Sequence, residues 1–159
     1  MMKRFVCGLL VLSSFGCGSL WAADSFTGAW KLNVAKSTFA KGREVKEETV
    51  TIAEQGDNLM VTVKGAYVSG KAISIKYAMP AKGGPLSYTE GTPLAGAGAT
   101  TVAKRVDANT LDGTTSMNGK QVGTTHTVVS ADGKTITQTR SDTDESGKAM
   151  KTVVVFNRQ

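Results

Sequence analysis

Alternation with a period of two runs through almost every window of the chain after Asp24, and nothing else in the sequence constrains the fold as strongly. Thr and Val dominate it, proline occurs only three times, and the breaks are Gly, Asn and Asp pairs. Successive side chains on a strand point to opposite faces, so this alternation specifies half-buried strands and its breaks specify tight turns. No segment carries a 3.6-residue period, which leaves no amphipathic helix to build with. Ten strands are predicted, at about 28–34, 45–54, 58–68, 71–79, 85–90, 99–106, 109–117, 120–130, 134–143 and 148–157. Trp30, Leu32 and Val34 share a face of the first, Leu59, Val61, Val63 and Tyr67 a face of the third, and Ile73, Ile75, Tyr77 and Met79 a face of the fourth.

Three turns keep a fixed rhythm. Asn118-Gly119-Lys120, Asp132-Gly133-Lys134 and Ser146-Gly147-Lys148 recur every fourteen residues. Asn-Gly and Asp-Gly suit two-residue hairpins, where both turn residues take positive φ. The period therefore marks successive hairpins of similar length. About ten antiparallel strands in a meander leave two exposed edges unless the sheet closes. The expected fold is all-β: an antiparallel up-and-down barrel of about 8–10 strands. A two-sheet sandwich is the rival, but it favours Greek-key crossovers, and no connection here is long enough to make one.

In such a barrel the odd connections lie at one end and the even ones at the other. The two longest, at 35–44 (with room for one helical turn) and 91–98, are both odd, so a loop-rich mouth faces a base of tight turns. Trp30 opens the first strand at the base, and Arg158 closes the tenth strand there. An arginine over the ring would give a cation–π contact of about 1–2 kcal/mol if partly desolvated. Trp30 and Arg158 are read as a structural base pair.

The first residues are expected to be removed. Met1-Met2-Lys3-Arg4 is basic, Phe5 to Leu20 is apolar but diluted by Gly, Ser and Cys, and Ala22-Ala23 precede Asp24. That pattern reads as a secretory signal peptide over 1–23, with a single domain over 24–159. A retained anchor would need about 20 apolar residues, and this run is too short and too polar. Ser14-Phe15-Gly16-Cys17 also has the small residue and cysteine of a lipoprotein site, without the leucine three positions before it; only lipid on Cys17 would bring the chain to a membrane. Both cysteines, Cys7 and Cys17, lie in this segment, so cleavage after Ala23 leaves no disulfide and no thiol chemistry. Loss of Lys3 and Arg4 from the 19 basic residues leaves 17 against 13 acidic ones, a net charge of +4. The basic residues are scattered, with Lys104-Arg105 as the single adjacent pair, which argues against nucleic acid as a partner. Composition gives no oligomeric state.

Gly28-Ala29-Trp30 resembles the Gly-x-Trp motif of lipocalins and their calycin relatives, and Arg158 resembles the basic residue that covers it. The longer run of Gly28, Trp30, Lys31, Leu32, Asn33, Lys36, Ser37 and Phe39, with the Asp-Gly-Lys hairpin downstream, is similar to a group of small secreted bacterial lipocalin-like proteins. That group has no settled activity, so the resemblance implies a fold and not a reaction. The chain departs from a typical lipocalin in having no helix after the eighth strand and no disulfide. Residues 35–44 are also too few for the two-helix lid of fatty-acid-binding relatives.

The chemistry-bearing residues form no catalytic cluster. His126, the single histidine, sits between threonines, without the second histidine, cysteine or carboxylate pair that a metal needs. Glu47-Glu48 straddle both faces of a strand. Asp142, Asp144 and Glu145 approach a turn, where weak calcium binding competes with plain solvation. Gly96-Ala97-Gly98-Ala99-Thr100-Thr101 lacks the third glycine, the lysine and the following helix of a phosphate loop, and reads as a mouth loop. The suggestive set lies inside the barrel. If Ile136 points inward, so do Gln138 and Arg140, with Thr135, Thr137 and Thr139 outside; Tyr77 points inward with Ile73 and Ile75. Apolar walls with a few polar groups suit a small-molecule pocket, and an inward arginine suits an anionic head group. The candidate ligand-binding residues are Tyr77, Gln138, Arg140 and His126, with no catalytic residue, metal or cofactor expected. The expected function is an exported, non-enzymatic barrel that holds a small, partly apolar ligand with an anionic end. The alternative is a secreted structural or interaction module with a filled core, and an enzyme at the mouth ranks third.

Overall fold

The computed structural model describes residues 23–143 and 146–159. The expected signal segment through Ala22, with Cys7 and Cys17, lies outside the described residues, as do Asp144 and Glu145. Eleven strands follow in chain order: β1 (Gly28–Leu32), β2 (Val45–Gln55), β3 (Asn58–Tyr67), β4 (Ala72–Pro80), β5 (Gly83–Pro85), β6 (Ser87–Glu90), β7 (Thr100–Asp107), β8 (Thr110–Met117), β9 (Lys120–Val129), β10 (Thr135–Thr143) and β11 (Ala149–Arg158). They form one antiparallel sheet in the order β5-β7-β8-β9-β10-β11-β1-β2-β3-β4-β6. The first and last members of that order, β5 and β6, are joined through Leu86, so the sheet curls into a nearly closed up-and-down barrel.

The fifth predicted strand explains why there are eleven strands and not ten. It runs 83–90 rather than 85–90, and it changes partner midway. Gly83, Gly84 and Pro85 pair with Lys104, Ala103 and Val102 of β7. Leu86 donates to Thr101 O at 2.9 Å, and the chain then crosses to β4, where Tyr88 pairs with Tyr77. Proline has no amide proton for a ladder, which fits a strand that leaves one neighbour for the other at Pro85.

The first strand also ends earlier than its alternation suggests. Val34 is exposed and begins a 3₁₀ turn, Val34–Lys36, rather than sharing the inward face with Trp30 and Leu32. Asn33 causes the break: its side chain accepts from Lys36 N at 3.1 Å. Ser37 Oγ then donates to Asn33 O at 2.7 Å and accepts from Val155 N at 3.0 Å, and Thr38 bridges to Val153. The polar residues of the opening run thus hook the first long loop onto β11.

The core lies inside the barrel, with Trp30, Phe26, Leu59 and Val129 its most buried large side chains. At the base, Trp30 Nε1 donates to Phe26 O at 2.9 Å. The Arg158 guanidinium carbon stands 4.1 Å from the Trp30 ring centre. Its nitrogens reach Gly133 O at 2.6 Å, Thr27 O at 2.7 Å and Ser25 O at 2.9 Å. Gly28 makes this possible: at φ +136° it takes a conformation that side chains disfavour, and a Cβ there would meet Arg158 Nη1 at 2.5 Å. A second cover was not legible in the sequence. Arg105 lies 5.1 Å over Phe26, donates to Ala81 O at 3.0 Å and pairs with Asp24.

Candidate functional site

Above the two base aromatics the barrel is hollow. A continuous cavity of about 810 Å³ runs from Phe26 and Trp30 at the floor to Gly42, Arg43 and the 93–96 segment at the mouth. Eleven strands, of which the short β5 and β6 follow one another on one stretch of chain, set a radius that the side chains available here do not fill: Ala103, Gly113 and four threonines face inward where larger residues would close the space.

The interior has two unlike walls. On one side β2, β3 and β4 present Val50, Ile52, Val61, Val63, Ile75 and Met79. Across the barrel β7 to β10 present Thr101, Thr115, Thr125, Thr127, Gln138 and Arg140. The hydroxyls are organised. Thr101 and Thr115 share a 3.0 Å hydrogen bond, and Thr125 Oγ1 rests where a Cβ on Gly113 would stand, 2.3 Å from it. Gln138 Nε2 donates to Thr127 Oγ1 at 3.1 Å, and its Oε1 accepts from Arg140 Nε at 2.7 Å. That last bond holds the guanidinium of a side chain that lines the cavity, and its two terminal nitrogens have no hydrogen-bond or ion-pair partner among the described residues.

Two further polar groups line the cavity. The Tyr77 ring lies 5.3 Å from that of Tyr88, and burial holds its hydroxyl protonated, with the pKa pushed up to about 12. Glu48 was not singled out as a site residue. It faces inward in step with Val50 and Ile52; the bulge in β2 lies just before it, where the pairing slips between Val45 and Glu47, so Lys46 stays outside and Val45 faces in as well. Gly65 permits this, since a Cβ there would meet Glu47 O at 2.1 Å. Burial pushes the Glu48 carboxyl above its usual range, partly opposed by Arg140.

A glutamate with a raised folded-state pKa binds its proton more tightly in the fold than in the unfolded chain. Its favourable contribution is therefore full below the ordinary value of 4.5 and is lost as the pH rises through the raised pKa. Glu48→Gln is expected to melt above the wild type at pH 7 and together with it at pH 4; a variant that melts lower at pH 7 would contradict the buried placement of Glu48.

His126 does not belong to this set. Its neighbours Thr125 and Thr127 face inward, so alternation turns the imidazole outward, where Nδ1 lies 2.7 Å from Asp112 Oδ1 on the next strand. Both side chains are about half exposed. The carboxylate partner was invisible in sequence because it is supplied by β8. At the mouth, Arg43 and Asp142 pair at 3.3 Å across the loop-to-β10 gap, an exposed contact of small energetic weight. The cavity thus brings together Tyr77, Gln138 and Arg140 of the predicted residues, adds Glu48 and the threonine wall, and leaves His126 outside.

No protein-family model and no curated protein matches the chain. Among solved structures, it is similar to the zebrafish ileal bile acid-binding protein complexed with cholic acid. The TM-score is 0.53 and the identity 14%, over 85% of this chain and 99% of that one. At that identity the likeness concerns the fold. The chain folds as a lipocalin-like, calycin-type β-barrel.

Proposed function

We propose that the protein is an exported, non-enzymatic carrier or receptor that binds one small amphipathic anion inside the barrel. The observation that carries this reading is the Arg140 side chain, held by Gln138, on the polar wall of a cavity of about 810 Å³ whose opposite wall is mainly apolar. Ligand sites are typically cavities of about 300–1,000 Å³ with a few convergent polar groups. An interior of this size argues against the filled core of a purely structural module. Likeness to a barrel solved with a bile acid supports a binding role, and the basic, apolar and small-residue order of residues 1–23 supports export.

The test uses anilinonaphthalenesulfonate, an apolar anion whose fluorescence rises on desolvation. One equivalent is expected to bind with micromolar affinity, and Val63→Trp, which fills the cavity from the aliphatic wall, is expected to abolish the signal without unfolding the barrel. Dye binding that survives Val63→Trp unchanged would move the site out of the interior. Mass spectrometry of small molecules extracted from protein purified under non-denaturing conditions then identifies the natural ligand.

A further inference from the structure

The two walls define the ligand more sharply than one arginine does. A head-and-tail amphiphile needs polar groups at one end of a cavity and apolar ones everywhere else. Here the division runs lengthwise. The polar wall begins at Thr101 and Thr115 towards the mouth, passes Thr125 and Arg140, and continues to Thr127 and Gln138, one pleat above the base layer of Val129 and Ile136. Facing it from the opposite side of the strand order, β2 to β4 supply mainly apolar side chains from Ile52 to Val63, with Tyr77 opposite Val61 and Glu48 beyond Val50. A straight hydrocarbon chain in this space would lay methylenes along a row of hydroxyls and leave unmet the hydrogen-bonding capacity that their bonds to one another and to Gln138 do not use.

We propose that the cavity selects a facially amphipathic ligand, a rigid polycyclic acid with hydroxyls along one long face, over straight-chain acids, and that the β7–β10 threonines determine this choice. The proposal rests on the interior-binding reading above and adds the shape and polarity of the ligand. One face of the ring system packs on β2–β4, the hydroxylated face meets the threonines, and the acid group reaches Arg140. Each wall hydroxyl can both donate and accept, so the wall matches hydroxyls in either role.

Competition against bound anilinonaphthalenesulfonate tests this with three acids: cholic acid, cholanic acid (the same skeleton without ring hydroxyls) and palmitic acid. Cholic acid is expected to bind at least about tenfold tighter than either of the others, the effect of one or two net hydrogen bonds. Thr125→Val combined with Thr127→Val is expected to erase the preference while leaving palmitic acid unchanged or tighter. Thr115→Val, on a different strand, is expected to reduce the preference by itself should the double variant not fold. Cholanic or palmitic acid binding as well as cholic acid in the wild type overturns the proposal and leaves the interior-binding reading standing. Failure of the dye and all three acids to bind removes both.

Discussion

Trp30→Ala is expected to lower the unfolding free energy by about 3–5 kcal/mol, the range for deleting a buried large aromatic. For a domain of this size that is a fall in Tm of roughly 10–20 °C. The reason is position as much as area. Trp30 is fully buried, its indole N–H is committed to Phe26 O, and its ring is the floor on which Arg158 lies. Removing it opens the base and frees a guanidinium that binds three carbonyls from Ser25, Thr27 and Gly133. Arg158→Ala should cost less, about 1–2 kcal/mol, because water can reach those carbonyls at the rim. Arg158→Lys should not restore it, since an ammonium reproduces neither the fork nor the stacking. The double variant should fall short of the sum by about 1 kcal/mol, the coupling expected of a cation–π pair. Far-UV circular dichroism is the measurement, because the variant deletes Trp30, the one tryptophan among the described residues, as a fluorescence reporter. A Tm within a few degrees of wild type would show that the base is held by something other than this ring.

What could be read before folding, and what could not, divides along a physical line. Alternation is local, so each strand from residue 45 onward is found within a few residues of its expected place, and the even connections near 55–58, 107–109 and 130–134 do gather at the base that holds Trp30. Partner exchange is not local. Nothing in Gly83-Gly84-Pro85 states that this half-strand pairs with β7 while Ser87–Glu90 pairs with β4; that follows from closing the sheet. Facing was legible where alternation is unbroken, as in Ile136, Gln138 and Arg140. It failed for the end of β1, where the Asn33 cap outweighs the outlook of Val34; Glu48 keeps step with Val50 and Ile52, but one member of an acidic pair that straddles a strand carries no signal of a site. Arg105 was passed over because a Lys-Arg pair reads as solvated charge, although parity from Ala103 turns it inward over Phe26. The pairing of His126 with Asp112 depends on the register of β8 against β9, which no spacing within either strand reveals. The cavity itself is a difference between barrel volume and side-chain volume, and neither term is a property of one segment.

Arg140→Met is expected to weaken binding of anionic ligands, anilinonaphthalenesulfonate among them, by about 30- to 1,000-fold, the cost of truncating one partner of a buried, hydrogen-bonded charge pair. An uncharged ligand of the same skeleton should lose less than about threefold, as expected for an interaction confined to the charged end. Stability separates this role from a structural one. A structural arginine resembles Arg158, with every nitrogen engaged by backbone, and its loss lowers Tm. Arg140 has one bond to Gln138 and, among the described residues, no further hydrogen bond or ion pair for its two terminal nitrogens, so apart from its charge interaction with Glu48 the fold gains little from it and bears the desolvation of a guanidinium at a cavity wall. Replacing it with a neutral side chain of similar length should leave the ligand-free Tm unchanged or raise it at pH 4, where Glu48 is protonated and loses no counter-charge. Glu48 works in the opposite sense: once ionised, its charge lies near that of Arg140 and repels an incoming anion, so Glu48→Gln should tighten anion binding at pH values above the raised Glu48 pKa. That gain should vanish in the Arg140→Met background, where the anion has lost its anchor. Anion affinity unchanged in Arg140→Met, together with a lowered Tm, would assign Arg140 to the architecture of the barrel and return the search for the ligand's charged end to Arg43 at the mouth.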